Sequence, residues 1–223
     1  MKLVHTELSG EILRENKVFS EWIIESPRMF AGYLQELYGQ CAKKEGRFVL
    51  SVGDKEIDLA KAAEIITDPF SVDLNGRKIL NKLYAELNEL SKGEEMYTRT
   101  LELVGRIQEY ILQLEGNTSH ILQFNSDIDI PGLLKVMDVK LEDLEGDFFE
   151  RLCSYIKSAV NVLGIKIFVF VNLRSYLPDM QMQGLIQEIR YQEVQALFIE
   201  NQERACIEGG MRYIIDKDRC EIY

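Results

Sequence analysis

The sequence predicts an α/β fold, in which an NTPase-like α/β head carries an inserted α-helical arm. Two apolar runs in the last third, 165–172 and 194–200, are rich in β-branched and aromatic residues. A segment that begins a helix near Pro178 separates them, and such runs joined by a helix are typical of parallel strands covered on both faces. In the middle of the chain, apolar residues instead recur every three or four positions, which indicates long helices.

The first third of the chain predicts a mixture of strands and one helix. Apolar and polar residues alternate over 3–8 and again over 18–24, which indicates two strands. A serine cap and a proline then begin a helix that extends from residue 26 to about residue 44. A short strand at 48–52 follows, and Gly53 opens a tight turn after it.

The middle of the chain predicts a helical arm. Apolar stripes run over 79–90 and 97–114, with a break at Gly93. Two long amphipathic helices with so short a break are expected to pack as an antiparallel hairpin. A shorter helical piece follows at 133–137. A helix from about Asp143 to Leu163 then returns the chain to the final strands, and Asp143 is its candidate N-cap.

These elements predict two domains. Residues 1–66 and 152–223 form the α/β head, and residues 67–151 form the arm.

Composition and charge restrict the class of protein. The 223 residues are 46% apolar, but no apolar run approaches the ~18 residues of a membrane-spanning helix. Without a recognisable export signal and with four scattered cysteines, we expect a cytoplasmic protein with reduced thiols. The net charge of −11 argues against general adhesion to nucleic acid, although a local basic channel is compatible with it.

The motifs of the common nucleotide-dependent and hydrolytic enzymes are missing from the sequence. No phosphate loop precedes any predicted strand, and Asn172 ends a strand where an NTPase usually has a magnesium-binding aspartate. Glu200 ends the next strand at the same edge. No Gly-x-Ser-x-Gly elbow is present, and the two histidines, His5 and His120, are more typical of structural or surface positions. We therefore expect no catalytic activity.

The segment from Asp127 to Glu150 concentrates acidic residues. It contains eight carboxylates, and Asp127 and Asp129 lie two positions apart beside a proline–glycine turn. Hard cations such as calcium favour clustered oxygen ligands of this kind, although no EF-hand spacing is present. A solvated acidic face is the alternative interpretation.

Basic residues are sparse in the same region, so Lys135 and Lys140 are conspicuous between the carboxylates. Arg77, Lys78 and Lys82 mark one side of the first arm helix. Their spacing alone does not indicate DNA binding.

Several segments together resemble the small accessory protein of type II-A CRISPR spacer acquisition, the Csn-two family. The likeness covers the whole chain and depends on the order and spacing of these segments rather than on any one of them. They are 80–87, 134–142, 148–150, 166–172 with 175–177, and 194–200.

The resemblance implies a non-enzymatic homotetrameric ring that is stabilised by calcium. The ring takes linear double-stranded DNA, end first, through a basic central hole, and it acts beside the CRISPR integrase complex and the effector nuclease. By position, the implied calcium ligands are Asp127, Asp129, Glu142 and Glu150. The candidate DNA-binding residues are Lys135, Lys140, Arg77, Lys78 and Lys82.

Two alternatives remain open from the residues themselves. One is a degenerate NTPase-like scaffold that binds other proteins and contacts DNA weakly. The other is a metal-dependent nuclease that uses the carboxylates of 127–150, which would require tightly held metals and a group that activates water.

Overall fold

A computed structural model describes residues 1–142 and 146–223. The chain divides into two compact units: Met1–Leu74 with Leu144–Tyr223, and Asn75–Asp143. The predicted helix start and N-cap at Asp143 lie outside the described residues.

The first unit contains all nine strands found in the described ranges. They are β1 (Lys2–His5), β2 (Phe19–Ile24), β3 (Phe48–Val52), β4 (Lys55–Glu56), β5 (Ala63–Ile66), β6 (Ile167–Val171), β7 (Gln195–Glu200), β8 (Met211–Ile215) and β9 (Glu221–Ile222). Six of them form a sheet in the order β5-β6-β7-β2-β8-β9, which is parallel except for β9. A small antiparallel sheet has the order β1-β3-β4.

The strand–helix–strand unit predicted in the last third is confirmed. β6 and β7 are parallel neighbours, with Val169 opposite Leu197, and every residue of both strands is buried. Their continuous apolar sequences are explained by cover on both faces. The α/β fold class is therefore confirmed.

Helices connect the strands of the first unit and cover both faces of the sheet. They are α1 (Pro27–Cys41), α2 (Leu59–Ala62), α6 (Phe148–Ser158) and α7 (Asp179–Tyr191), with a π-helical turn at Ala159–Leu163 and a 3-10 turn at Leu173–Ser175. The second unit contains α3 (Arg77–Lys92), α4 (Glu94–Glu115) and α5 (Ile130–Val136). None of the described helices has the length and apolar character of a membrane span.

The main core lies between the large sheet, α1 and the small sheet. Trp22 of β2, Leu37 of α1 and Leu50 of β3 belong to one buried cluster. On the opposite face, α6 and α7 contact each other, and Tyr155 of α6 donates a hydrogen bond of 3.3 Å to Glu64 of β5. The strand predicted over 18–24 is confirmed as β2, and every residue of it is buried, although apolar and polar residues alternate there.

In the second unit the two predicted apolar stripes have different surroundings. Ile79 and Tyr84 of α3 are buried, whereas no residue of the 22-residue α4 is. Gly93 alone separates the two helices, which contact each other, and Thr100 donates a side-chain hydrogen bond of 2.9 Å to the Ser91 carbonyl. The apolar side of α4 thus stays largely open to solvent in the single chain.

Candidate nucleic-acid interface

The five predicted DNA-binding residues all lie in the second unit. Arg77, Lys78 and Lys82 belong to α3, Lys135 lies in the last turn of α5, and Lys140 follows α5 in an extended segment. All five side chains are exposed, and α5 packs against α3. The fold therefore gathers these residues from three places in the sequence onto one helical unit, and we call these five residues the basic module.

Hydrogen bonds fasten the segment that carries Lys140 to α3 and to Asn75, which lies two residues before the helix. The Leu141 N–H donates to Asn75 Oδ1 at 2.9 Å, and Asn75 Nδ2 donates to the Leu141 carbonyl at 3.1 Å. The Tyr84 hydroxyl donates to the Val139 carbonyl at 2.8 Å. Val139 and Leu141 are half-buried while Lys140 between them is exposed, so the ammonium group lies on the open side of the segment.

Carboxylates neutralise only part of this basic surface. Lys140 Nζ lies 2.6 Å from Asp138 Oδ2, and both side chains are exposed. An exposed ion pair of this kind contributes about 0–1 kcal/mol, so a polyanion can compete for the lysine. Lys135, Arg77 and Lys82 form no ion pair with any residue in the described ranges.

The four carboxylates predicted to bind calcium are divided between the two units. Asp127, Asp129 and Glu142 belong to the second unit and Glu150 to the first. Glu150 Oε2 accepts a hydrogen bond from the Asp147 N–H at 3.1 Å, as part of the capping box that begins α6. Within 1–142 and 146–223, no group of three or more His, Cys, Asp or Glu side chains is placed to hold a metal ion. Calcium binding therefore stays a prediction.

The carboxyl ends of β6 and β7 carry polar side chains that bond to each other. Asn172 adopts a left-handed conformation (φ +54°), and its Oδ1 accepts a hydrogen bond from the Asn201 N–H at 3.2 Å. Glu200 Oε1 accepts one from the Arg174 N–H at 3.1 Å. Burial raises the pKa of Glu200, an effect that the Arg174 N–H partly offsets. These contacts join the tips of two neighbouring strands at the edge where α/β sheets usually place a ligand.

The first strand–helix junction is also built differently from a phosphate loop. β2 ends at Ile24, and after Glu25 and Ser26 the helix begins directly at Pro27. The Glu25 N–H donates to the Ile215 carbonyl at 3.0 Å, so it is turned toward β8. The Ser26 side chain makes no capping hydrogen bond, contrary to the prediction.

The first histidine has a structural environment. His5 is buried, and its ring packs edge-on against Tyr33 and Phe48. Its Nδ1 accepts a hydrogen bond from the Glu7 N–H at 3.3 Å, while Nε2 lies 3.4 Å from Glu36 Oε1. Both ring nitrogens are therefore already occupied by the fold.

Sequence reasoning missed a buried network of charged residues on the α7 side of the sheet. Glu21, in the middle of β2, accepts from Arg174 Nη1 at 2.6 Å and from Arg212 Nη2 at 2.8 Å. Arg174 Nη1 also donates to the Ala205 carbonyl at 2.8 Å, and Arg212 pairs with Glu203 at 3.1 Å. The network thus fastens the irregular loop 201–210, which joins β7 to β8. The one local sign of this network in the sequence was Glu21, a glutamate inside a largely apolar strand.

The fold and the basic module together define a class of protein. It is an α/β protein with an NTPase-like parallel sheet, no glycine-rich loop at the first strand–helix junction, and a helical unit with exposed basic side chains.

Comparison with known proteins assigns the family. The family model described as "CRISPR-associated protein (Cas_Csn2)" matches residues 40–219, and the chain belongs to this family. A relative from Enterococcus faecalis named CRISPR-associated protein Csn2 is 22% identical over 203 residues, which are 87% of this chain and 87% of the relative. A relative of the same name from Streptococcus agalactiae is 30% identical over 169 residues, 74% of each chain. The resemblance seen in the sequence is confirmed, and the protein is CRISPR-associated.

Proposed function

We propose that the protein is a non-enzymatic, ring-forming protein that binds the ends of linear double-stranded DNA. The ring is a homotetramer whose central channel is lined by basic side chains, and it supports spacer acquisition beside the CRISPR integrase complex and the effector nuclease. DNA binding is independent of base sequence, because phosphates are the groups that lysine and arginine contact along a duplex.

The observation that carries this proposal is the gathering of exposed basic residues on one module of an otherwise acidic chain. The net charge is −11, yet α3, α5 and the 139–141 segment together carry six exposed cations, the five candidates and Lys92. Three of these, Lys135, Arg77 and Lys82, have no ion-pair partner among the described residues. A local positive surface on an acidic protein directs a polyanion to one place.

The open apolar surface of α4 supports assembly into a ring. Large apolar and aromatic residues are exposed along this helix, namely Met96, Tyr97, Leu101, Leu103, Tyr110, Leu112 and Leu114. Extended apolar surface of this kind usually marks a protein–protein contact. Copies of the chain that cover α4 would account for its amphipathic pattern.

The strand tips support the non-enzymatic part of the proposal. Asn172 and Glu200 are bonded to neighbouring backbone groups, and Pro27 begins α1 where an NTPase has its phosphate loop. Calorimetric titration with magnesium–ATP should therefore give no saturable heat, and labelled duplex incubated with magnesium or calcium should stay intact. Saturable ATP binding or cleaved duplex would contradict a non-enzymatic role.

DNA topology provides the main test. Linear duplex and covalently closed circles of the same sequence are titrated with the protein at several salt concentrations. A ring that loads at an end binds the linear form and leaves the circles largely unbound, with an affinity that falls steeply as salt rises. Equal binding of both forms would refute threading through a closed ring.

Paired charge reversals test the residues. Lys135→Glu with Lys140→Glu should weaken binding of linear duplex uniformly across sequences without changing the mass measured by light scattering. The matched control, Lys55→Glu with Lys61→Glu, makes the same charge change at two exposed lysines of the first unit. If both double variants lose the same affinity for DNA, the loss reflects the total charge of the protein, and the basic module is not the DNA-binding surface.

A further inference from the structure

Three aromatic side chains form a continuous patch on the surface of the first unit. The ring centroid of Phe70 lies 4.7 Å from that of Phe148 and 5.1 Å from that of Tyr176. Phe70 is 57% exposed and Tyr176 is 47% exposed. We call Phe70, Phe148 and Tyr176 the aromatic patch.

The backbone holds each ring of the aromatic patch in place. Phe70 follows β5 in a turn, where its N–H donates to Asp68 Oδ1 at 3.0 Å. Phe148 is the first residue of α6, and Tyr176 follows the 3-10 turn after β6, with its N–H bonded to the Leu173 carbonyl at 2.9 Å. Because β5 and β6 are parallel neighbours, their carboxyl ends bring Phe70 and Tyr176 together. A surface fixed in this way loses little conformational entropy when a partner binds.

Carboxylates predominate in the short stretches that carry these rings. Asp68 precedes Phe70 by two residues, Asp147 and Glu150 flank Phe148, and Asp179 follows Tyr176; all four are exposed. The cations of the same surroundings are Arg151, on α6, Arg204, whose Nη2 donates to Ser175 Oγ at 3.1 Å, and the buried Arg174, whose Nη2 lies 3.4 Å from Asp179 Oδ1. The aromatic patch is therefore apolar at its centre and acidic at its rim.

We propose that the aromatic patch is a docking site for another protein that presents apolar side chains flanked by lysine or arginine. Apolar anchors would cover the exposed rings, guanidinium or ammonium groups would stack on the ring faces, and the carboxylates would pair with the remaining cations. The acidic rim repels DNA phosphates. It also disfavours a two-fold contact between copies of this chain, which would bring identical carboxylates together. This inference does not depend on the DNA-binding proposal.

Peptide binding to the full-length protein tests the chemistry. The probe is a short fluorescein-labelled peptide of arginine, leucine and tryptophan, followed by fluorescence anisotropy. One comparison peptide has glutamate in place of arginine, and another has serine in place of leucine and tryptophan. We expect both to bind at least about tenfold more weakly than the probe, because charge and apolar anchors are each required.

Substitutions at the aromatic patch locate the site. Phe70→Ala with Tyr176→Ala should weaken binding of the arginine peptide about tenfold or more. The control Tyr38→Ala removes a 60% exposed tyrosine from α1 of the same unit and should leave affinity unchanged. Asp68→Asn with Asp147→Asn keeps the hydrogen-bond acceptors of the turn and the helix cap, so it tests the charges in a protein whose fold is preserved. It should weaken binding a few fold and flatten its salt dependence.

Four outcomes would overturn the proposal. The arginine peptide could bind the wild type and the aromatic double variant equally, or the glutamate peptide could bind more tightly. The double variant could change the mass in light scattering while peptide affinity stays intact, which would make the patch a contact between copies of this chain. The double variant could instead lose affinity for linear duplex, which would make the aromatic patch a DNA-binding surface.

Discussion

Replacing Arg174 with methionine should destabilise the first unit by about 3 kcal/mol. The Arg174 and Glu21 side chains are 4% and 2% exposed, and they meet at 2.6 Å. Removing one partner of a buried ion pair costs about 3–5 kcal/mol, because the other charge stays buried. Arg212 remains bonded to Glu21, which places the cost at the lower end of this range. Loss of the bond to the Ala205 carbonyl acts in the same direction.

Urea unfolding followed by tryptophan emission measures this loss. Trp22, the single tryptophan of the chain, is fully buried in β2 and follows Glu21 in the sequence. The control Arg14→Met breaks an exposed pair with Glu11, whose side chains are 44% and 39% exposed, and should cost less than about 1 kcal/mol.

A double-mutant cycle isolates the contribution of the pair. Because Glu21→Gln removes the buried charge that Arg174 neutralises, the double variant should lose less than the sum of the two single variants. A loss below about 1 kcal/mol for Arg174→Met, or strict additivity in the cycle, would refute the reasoning.

Three further predictions concern pH, thiol reactivity and assembly. Hydrogen bonds from Arg47 hold the pKa of Glu36 at about 2, below its ordinary 4.5. This pair therefore stabilises the fold above pH 4.5 and ceases to do so as the pH falls through 2. Urea titrations should show that the stability lost in Arg47→Met becomes smaller in acid. A loss that does not depend on pH would contradict this. Burial, assisted by Glu188, raises the pKa of Cys153 to about 12. Iodoacetamide should therefore modify the exposed Cys206 and Cys220 well before Cys153, as measured by peptide mass spectrometry. Equal modification rates at the three cysteines would contradict this prediction. Light scattering should find a tetramer with calcium and a smaller species in chelator, because unneutralised carboxylates repel one another, whereas a monomer in both conditions would argue against the ring.

The sequence predicted the last third of the fold well because its signals are local. The runs at 165–172 and 194–200 are continuous and β-branched, and the structure contains them as the parallel neighbours β6 and β7. The strand predicted over 18–24 is also confirmed, but its complete burial has a long-range cause. Glu21 made β2 resemble a half-exposed strand, but arginines 153 and 191 residues further along the chain neutralise it inside the protein.

The candidate site was predictable in its residue types but not in its arrangement. Lys135 and Lys140 are conspicuous in the sequence, whereas the bonds that tie the Lys140 segment to α3 join residues 55 and 66 positions apart. No local pattern encodes contacts at such separations. For the same reason the aromatic patch, whose rings come from three separate stretches, was not seen.

The reciprocal bonds between Asn75 and Leu141 have a consequence for how the helical unit entered the chain. They join the first and nearly the last residue of that unit, so its entrance and exit lie side by side. A domain whose two ends lie close together can be inserted into a surface loop of another domain without forcing the two attachment points of that loop apart. We therefore expect residues 75–142 to be exchangeable between relatives as one piece.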